Sequence, residues 1–234
     1  AASDVYKRQM QDPMTSLNPL KKIGKQIQES IEHHQGLKGE AAKKAAIEML
    51  AKVGIPDPER RYEQYPHEFS GGMRQRVMIA MALACDPDIL IADEPTTALD
   101  VTIQAQIIEL MQEMQEKNGN AIIMITHDLG VVADMADKIM VMYAGRPVEF
   151  GTAEEIFYES RHPYTWGLIR SIPEQAIDEK KPLTPIHGNP PSLMNLPEGC
   201  VFSPRCPYAT DKCRKQRPER VVTCLLYTSD AADE

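Results

Sequence analysis

Apolar residues recur at helical spacing through the first third of the chain. One stripe repeats every four positions in an otherwise polar segment, at Ile23, Ile27 and Ile31. Residues 40–53 are rich in alanine, their larger apolar side chains share one face, and Gly54 follows them. Another helical run begins at Gly72 and meets an Asp-Pro pair at Asp86. These patterns predict that residues 10–84 are mainly helical.

After residue 88, short and nearly continuous apolar runs replace the helical spacing. They stand in the segments DILIADEP, AIIMITHD and KIMVMYAG, and such runs are typical of strands buried on both faces of a parallel sheet. Residues 102–117 lie between the first two runs and are amphipathic through Ile103, Ile107, Leu110, Met111 and Met114. The order strand, helix, strand predicts the crossover unit of an α/β sheet. The segment YAGRPVEFG predicts a short hairpin after it.

From about residue 160 the chain is rich in proline and has little periodicity. We expect an irregular C-terminal extension, ordered by packing or by a bound ion. Of the 234 residues, 42% are apolar and 26% are charged, which is typical of a globular protein. The formal net charge of −8 disfavours nucleic acid as the main partner. No apolar run approaches the about 18 residues that indicate a transmembrane helix.

Both ends of the chain look foreign to the rest. A DNA segment that encodes residues 4–9 (DVYKRQ) has a complementary strand that, read one base out of frame, encodes residues 224–229 (CLLYTS). One inverted DNA segment at both ends is what a sequencing adapter leaves in a translated fragment. We therefore expect residues 1–9 and 224–234 to be non-native, and we expect the native protein to continue in both directions.

Acidic and histidine side chains follow two of the predicted strands. Asp93 and Glu94 end one apolar run and His127 follows another. All three are therefore expected at the carboxyl edge of the sheet, where open α/β folds bind ligands. There the first acid can hold Mg²⁺, the second can act as a general base, and a neutral imidazole can contact a phosphate. A solvated acidic turn and a surface histidine are the ordinary alternatives.

A serine and two glycines precede the helical run that begins at Gly72. This Ser-Gly-Gly segment (Ser70, Gly71 and Gly72) offers a hydroxyl and unpaired backbone N–H groups at a helix N-terminus, which favours an anion. Two other residues have no meaning by themselves. Gln11 stands before an Asp-Pro turn, and Asp100 has the position of a simple helix cap.

The order of these motifs is far more specific than any one of them. Residues 10–151 contain, in turn, Gln-Asp-Pro, Phe-Ser-Gly-Gly before a basic helix, four apolar residues before Asp-Glu-Pro-Thr, then Ala-Leu-Asp and Thr-His-Asp. This order resembles the nucleotide-binding domain of ATP-binding cassette (ABC) proteins. The resemblance implies an α/β fold, namely a partial P-loop NTPase-type ABC ATPase core with a helical subdomain, followed by the irregular proline-rich extension.

The resemblance also implies a role for each matching residue. Gln11 matches the Q-loop glutamine, which contacts Mg²⁺ or water, and the Ser-Gly-Gly segment matches the signature that binds ATP. Asp93 matches the Walker B aspartate that holds Mg²⁺, and Glu94 matches the catalytic glutamate. Asp100 matches the D-loop aspartate and His127 the switch histidine. The implied domains are the Q-loop and helical subdomain, the second half of the ATPase core and the extension, at residues 10–84, 85–159 and 160–223.

In this family two such domains pair head to tail, and each ATP lies between the phosphate loop of one domain and the signature of the other. Phe69 and Met73 here replace the leucine and glutamine that are commoner around that signature. The phosphate-loop motif G-x-x-x-x-G-K-[S/T] does not occur in these 234 residues. We therefore expect this chain to provide half of a nucleotide site and to lack ATPase activity by itself.

The segments QDPMTSLNP, FSGGMRQR and HPYTWGLIRSIP, followed by GCVFSPRCPYA, resemble the ATPases of oligopeptide and dipeptide importers. That branch implies membrane permeases as partners, a second ATPase subunit that is identical or homologous, and an indirect link to a substrate-binding protein. It also implies a peripheral position at the cytoplasmic face of the bacterial cell membrane, without nucleic acid. The alternatives are nickel or glutathione importers of the same branch, a non-catalytic regulatory cassette, and an ABC ATPase that acts on nucleic acid or ribosomes. The intact Asp93, Glu94 and His127 disfavour the regulatory cassette, and the His-Pro-Tyr segment with the acidic charge disfavours the last.

The extension also contains three cysteines in a polar segment, at Cys200, Cys206 and Cys213. Reduced thiols are the default inside cells, but closely spaced cysteines also indicate a metal or a cluster. Some members of this branch resemble iron–sulfur proteins here, with four cysteines. An iron–sulfur or zinc site is therefore one hypothesis for the intact protein, with its fourth ligand just beyond Thr223.

We expect the purified 234-residue chain to release no phosphate from Mg-ATP, because it lacks the loop amides and the lysine of a phosphate loop. A phosphate-release assay against a Glu94→Gln control measures this, and turnover above the control would contradict it.

The parent DNA, read across both junctions, tests the adapter hypothesis. A phosphate loop upstream and a fourth cysteine downstream would support that hypothesis, and an unchanged reading frame through both ends would refute it.

Overall fold

The computed structural model describes residues 6–9, 16–97, 99–171, 185–219, 221–223 and 226–228. The chain divides into two compact units, residues 1–127 and residues 128–234. The sequence-based domain division at residues 84 and 159 stays a prediction. Gln11 lies outside the described residues.

A three-stranded parallel sheet organises the first unit. Its strands stand in the order β1 (Tyr6–Gln9), β2 (Ile89–Asp93) and β3 (Ala121–Ile125). Because β2 and β3 run parallel, the chain must cross over between them, and helix α5 (Val101–Asn118) makes this crossover. The predicted strand–helix–strand unit is thus confirmed.

The other helices of the first unit follow the predicted apolar stripes. They are α1 (Ile23–His34), α2 (Gly39–Lys52), α3 (Pro58–Tyr62) and α4 (Gly71–Leu83). The stripe of α1 is fully packed, since Ile23, Ile27 and Ile31 are each at most 1% exposed. A Cβ on Gly24 would lie 1.9 Å from Cδ2 of Tyr62, so only glycine lets α1 approach that ring so closely.

The second unit contains an antiparallel sheet in the order β4, β5, β7, β6. These strands are β4 (Lys138–Tyr143), β5 (Arg146–Thr152), β6 (Val221–Thr223) and β7 (Leu226–Thr228). The predicted hairpin is confirmed, because β4 and β5 pair through a turn at Ala144 and Gly145. Both turn residues have positive φ, at 49° and 74°, as the twist of a two-residue hairpin loop requires.

Two of the three predicted parallel strands differ from expectation. β3 is not buried on both faces, since Ile123 and Ile125 are 50% and 47% exposed. It is the last strand in the sheet order of the described residues, and its alternate side chains are left uncovered. β4 belongs to the antiparallel sheet and alternates between exposed and buried positions, because its tight turn returns the chain directly alongside it.

Packing orders much of the C-terminal extension. The helices of the second unit are α6 (Leu129–Met135), α7 (Ala153–Tyr158), α8 (Pro163–Ile169) and α9 (Asp211–Lys215). From the irregular segment before α9, Val201 and Phe202 enter a core with β4 and β5 and are at most 5% exposed. Residues 172–184 of the extension lie outside the described residues.

Parts of both foreign-looking ends take part in strands. Tyr6–Gln9 pairs with β2, and Leu226–Thr228 pairs with β5 and β6. A β ladder is built from backbone groups, so strand pairing at these places does not depend on the side chains that the residues carry. The adapter origin of residues 1–9 and 224–234 stays a prediction. No helix in the described ranges is both long and apolar enough to cross a membrane.

Candidate functional site

Asp93, Glu94 and His127 stand at the carboxyl edge of the parallel sheet. Asp93 ends β2, and the backbone N–H of Glu94 donates to the carbonyl of Ile125, the last residue of β3, at 2.8 Å. The ladder thus runs one residue past β2. Glu94 adopts a left-handed φ of 47°, which turns the chain out of the strand immediately after the two acids.

The carboxylate of Glu94 lies between a hydroxyl and an imidazole. Thr97 Oγ1 donates to Glu94 Oε2 at 3.0 Å, and His127 Nδ1 lies 3.5 Å from Glu94 Oε1. The Glu94 side chain is 28% exposed and that of His127 is 77% exposed. The sheet edge therefore presents an oriented carboxylate beside an accessible imidazole, which is an arrangement suited to moving a proton.

Asp93 has the character of a magnesium ligand. Asp93 is only 8% exposed and stands at the same edge as Glu94. Mg²⁺ prefers oxygen ligands and is usually held by one or two carboxylates together with substrate phosphates. The described residues contain no group of three or more metal-ligating side chains, so such an ion would need phosphate oxygens to complete its coordination. A single buried carboxylate fits that requirement.

The Ser-Gly-Gly segment begins helix α4. Ser70 is the N-cap, and its Oγ accepts from the backbone N–H of Met73 at 3.3 Å. Ser70 and Gly71 are exposed and Gly72 is buried. The cap satisfies one N–H of the first turn, and the positive end of a thirteen-residue helix adds its dipole there. This helix end therefore has the electrostatics of an anion site.

Asp100 caps the neighbouring helix. Its Oδ1 accepts from the backbone N–H of Ile103 at 3.0 Å, which fixes the first turn of α5. A Cβ added to Gly72 would lie 2.5 Å from Ile103 Cγ2, so the first turns of α4 and α5 are in direct contact. The structure thus assembles two groups, Glu94 with His127 and the Ser-Gly-Gly segment with the start of α5. The simple helix-cap interpretation of Asp100 matches this geometry, and its D-loop role stays a prediction.

The three cysteines of the extension have mostly local contacts. The N–H of Cys200 donates to the carbonyl of Cys213 at 2.8 Å, and Cys213 Sγ lies 3.1 Å from Thr210 Oγ1, the cap of α9. Among the described residues these thiols are not part of any three-residue ligand group. The metal hypothesis for Cys200, Cys206 and Cys213 therefore finds no support in this geometry, in which Cys213 packs beside the cap of a helix.

Sequence reasoning missed Glu149, which anchors the His-Pro-Tyr segment. Glu149 is 1% exposed, and its Oε1 accepts from the backbone N–H groups of Arg161 and His162, the latter at 3.2 Å. His162 in turn caps α8, because its Nδ1 accepts from the N–H of Tyr164 at 3.2 Å. In the sequence, Glu149 looks like an ordinary exposed residue of a strand, so the pattern does not indicate that it is buried or that it binds another segment.

The His-Pro-Tyr segment packs on aromatic rings of the same unit. The ring centroid of Phe202 lies 5.9 Å from that of His162 and 5.4 Å from that of Tyr164, and the rings of Tyr143 and Tyr164 lie 4.6 Å apart with their planes tilted by 56°. Burial lowers the pKa of His162 from 6.5 to about 4. The histidine is therefore a neutral structural cap at physiological pH.

Comparison with known proteins agrees with this geometry. The family model "ABC transporter" matches residues 5–97, and the model "Oligopeptide/dipeptide transporter, C-terminal region" matches residues 148–213. The chain belongs to the ABC transporter family. Within that family, its second half carries the C-terminal region of the oligopeptide/dipeptide transporter type.

Relatives of known name support the same branch. The oligopeptide transport ATP-binding protein OppD of Bacillus subtilis is 61% identical over 208 residues, which cover 89% of this chain and 58% of the relative. The dipeptide transport ATP-binding protein DppD of Escherichia coli is 57% identical and covers 89% of this chain and 63% of the relative. The chain thus spans about three fifths of the length of these relatives.

Two solved cassettes share the fold. The ATP-binding cassette MJ0796, in a dimeric state bound to ADP and Pi, matches with a TM-score of 0.55 and 29% identity, over 63% of this chain and 62% of that one. The cbiO1 protein of Clostridium perfringens, part of the ABC transporter complex cbiONQ, matches with a TM-score of 0.58 and 31% identity, over 67% and 60%. The predicted fold class, an ABC ATPase core, is confirmed.

We expect Gly72→Ala to lower the free energy of unfolding by about 1–3 kcal/mol, because its Cβ would overlap Ile103. Gly71→Ala is the matched control, since its Cβ would meet Leu99 Cδ2 at an ordinary 3.8 Å. The control should be neutral or gain up to about 1 kcal/mol from helix propensity. Urea denaturation of both variants measures this, and equal stability of the two would contradict the close α4–α5 contact.

We expect the second unit to lose stability as the pH falls from 6.5 to about 4. The unfolded chain protonates His162 near pH 6.5, whereas the folded chain does so only near pH 4, so acid favours unfolding by about 3 kcal/mol across that window. His162→Asn keeps an acceptor for the Tyr164 N–H and should flatten the slope. His187→Asn, at an exposed histidine, should not. Identical pH slopes for wild type and His162→Asn would refute this assignment.

Proposed function

We propose that this chain is the greater part of an ATP-hydrolysing subunit that energises uptake of oligopeptides or dipeptides across the bacterial cytoplasmic membrane. The observation that carries the proposal is the placement of Glu94 beside His127 at the carboxyl edge of two paired parallel strands, with Asp93 next to it. A carboxylate and an imidazole at that edge suit hydrolysis of a phosphoanhydride by water.

Each group at the edge has one task in this proposal. Asp93 ligates Mg²⁺, which neutralises charge on the phosphates of ATP when it is bound. Glu94 accepts a proton from the attacking water, and His127 contacts the γ-phosphate. The hydroxyl of Thr97 supports this division, because it holds Glu94 Oε2 at 3.0 Å and so orients the carboxylate.

The Ser-Gly-Gly segment contributes to a different nucleotide. Its exposed serine and glycine at the start of α4 suit the phosphates of an ATP that a second cassette holds in its phosphate loop. Asp100 lies across the α4–α5 contact from this segment, where it would meet the partner cassette, and Gln11 would contact Mg²⁺ or water. The proposal therefore requires a head-to-tail pair of identical or homologous subunits.

Peptides are the proposed cargo because the C-terminal region matches the oligopeptide/dipeptide transporter type and because the named relatives are oligopeptide and dipeptide transport proteins. Membrane permeases would receive the movement of the cassettes at the cytoplasmic face of the membrane, and a substrate-binding protein would deliver the peptide. A nickel or glutathione importer of the same branch is the alternative cargo assignment. A regulatory cassette is disfavoured by the intact acid pair and His127.

The test is a Glu94→Gln variant of the full-length subunit that carries this sequence. We expect ATP turnover to fall at least roughly 100-fold, the lower range for loss of a general base. The variant should also form an ATP-dependent dimer on size-exclusion chromatography, because it binds nucleotide without consuming it. Glu116→Gln, at an exposed position of α5, is the control and should keep wild-type turnover. If the Glu94→Gln variant keeps near wild-type turnover, Glu94 is not the general base. If the wild-type subunit binds ATP without hydrolysing it, the regulatory cassette is favoured.

A further inference from the structure

Arg76 connects three helices of the first unit. It stands on α4 one turn after Gly72 and is partly buried. Its Nη1 donates to the carbonyl of Val53 at 2.8 Å, and its Nη2 donates to Gln106 Oε1 on α5 at 3.1 Å. One guanidinium group therefore bonds the residue that ends α2 and a side chain of α5 at the same time.

The C-terminal end of α2, where Arg76 binds, favours a cation. Val53 is the C-cap of α2 and is fully buried, and carbonyls at a helix C-terminus lack partners within the helix and carry partial negative charge. Gly54 follows with a φ of +71°, and a Cβ there would lie only 2.8 Å from Arg76 Nη1. The glycine thus provides both the left-handed turn and the space that the guanidinium occupies.

The α5 end continues the contact made by the Ser-Gly-Gly segment. Gly72 packs against Ile103, and one turn further along both helices Arg76 meets Gln106. The α4–α5 contact therefore has an apolar part at the first turn, which sets how closely the helices approach, and a polar part at the second. The polar part also reaches α2, through the bond from Arg76 to Val53.

We propose that Arg76 is a positioning residue that fixes the Ser-Gly-Gly segment relative to the helical region formed by α1, α2 and α3. This inference rests on the proposed function, in which that segment closes on a partner's ATP. Movement of the helical region reaches the start of α4 through the bond from Arg76 to Val53, and the bond to Gln106 keeps α4 and α5 moving together. A planar guanidinium makes both bonds at once, whereas a lysine ammonium at this position could keep only the shorter one to Val53.

The first test uses the full-length subunit in the Glu94→Gln background. We expect Arg76→Met to raise the ATP concentration for half-maximal dimer formation roughly tenfold, the size of a lost bond to a charged group. ATP affinity of the separate subunit should stay within twofold, because its own phosphate loop is untouched. Arg76→Lys should recover part of the loss, and Arg60→Met, at an exposed arginine of α3, is the charge-matched control.

Two results would overturn the proposal. One is unchanged dimer formation by Arg76→Met. The other is a parallel fall in monomer ATP affinity, melting temperature and dimer formation without recovery in Arg76→Lys, which would make Arg76 a purely structural residue.

The second test separates this inference from the proposed function. Amide hydrogen exchange of the 234-residue chain needs no ATP and compares wild type with Arg76→Met. We expect roughly tenfold faster exchange at the amides of Gly54, Ile55 and Met73, with β2 unchanged. Unchanged exchange at these amides would refute the link even if the subunit hydrolyses ATP. If exchange is faster but the protein never forms an ATP-dependent dimer, Arg76 does connect α4 to α2. Its proposed role in placing the Ser-Gly-Gly segment on a partner's ATP is then refuted.

Discussion

The parallel pairing of β2 with β3 determines where the reactive side chains of the first unit lie. The register places Asp93 opposite Ile125, and the N–H of Glu94 adds one more bond to the ladder. Because parallel strands end at the same edge of a sheet, the residues that follow each strand are brought close together in space although they are far apart in the sequence. The left-handed backbone of Glu94 then lets the chain leave the sheet while its side chain stays near His127.

A second constraint is the spacing between helices α2, α4 and α5. Glycine at residue 72 allows the start of α4 to touch α5, and glycine at residue 54 leaves room for the guanidinium that ties α4 to the end of α2. The acids at the sheet edge are placed by strand pairing, whereas the Ser-Gly-Gly segment is placed by helix packing. The sheet edge and the Ser-Gly-Gly segment, which the proposed function assigns to two different nucleotides, thus depend on different physical forces, and a change in helix packing can alter the segment alone.

The parts of the fold that could be predicted from the sequence are those fixed by local patterns. The apolar stripe at Ile23, Ile27 and Ile31 was sufficient for α1, and the spacing of Ile107 and Met111 was sufficient for α5. A run of apolar residues, however, does not reveal which strand lies beside it. For that reason the direction of β4 and the half-exposed face of β3 could not be predicted.

The candidate site shows the same limit. Asp93, Glu94 and His127 could be predicted as site residues from their positions in the sequence, because the end of an apolar run indicates the end of a strand. The roles of Arg76 and Glu149 depend on backbone groups that are distant in sequence, at Val53 and at Arg161 with His162. A carbonyl or N–H group has no signature in the sequence, so such partners emerge only from the fold.

The cap at the start of α8 has one more consequence, which concerns the protons of the His162 ring. Since Nδ1 accepts a bond from the N–H of Tyr164, it cannot carry a hydrogen, and the neutral ring must hold its single proton on Nε2. One tautomer is therefore selected by the backbone alone. The imidazole of the His-Pro-Tyr segment can therefore only donate a further hydrogen bond, through Nε2. The lone pair of Nδ1 already accepts the bond that stabilises the first turn of α8.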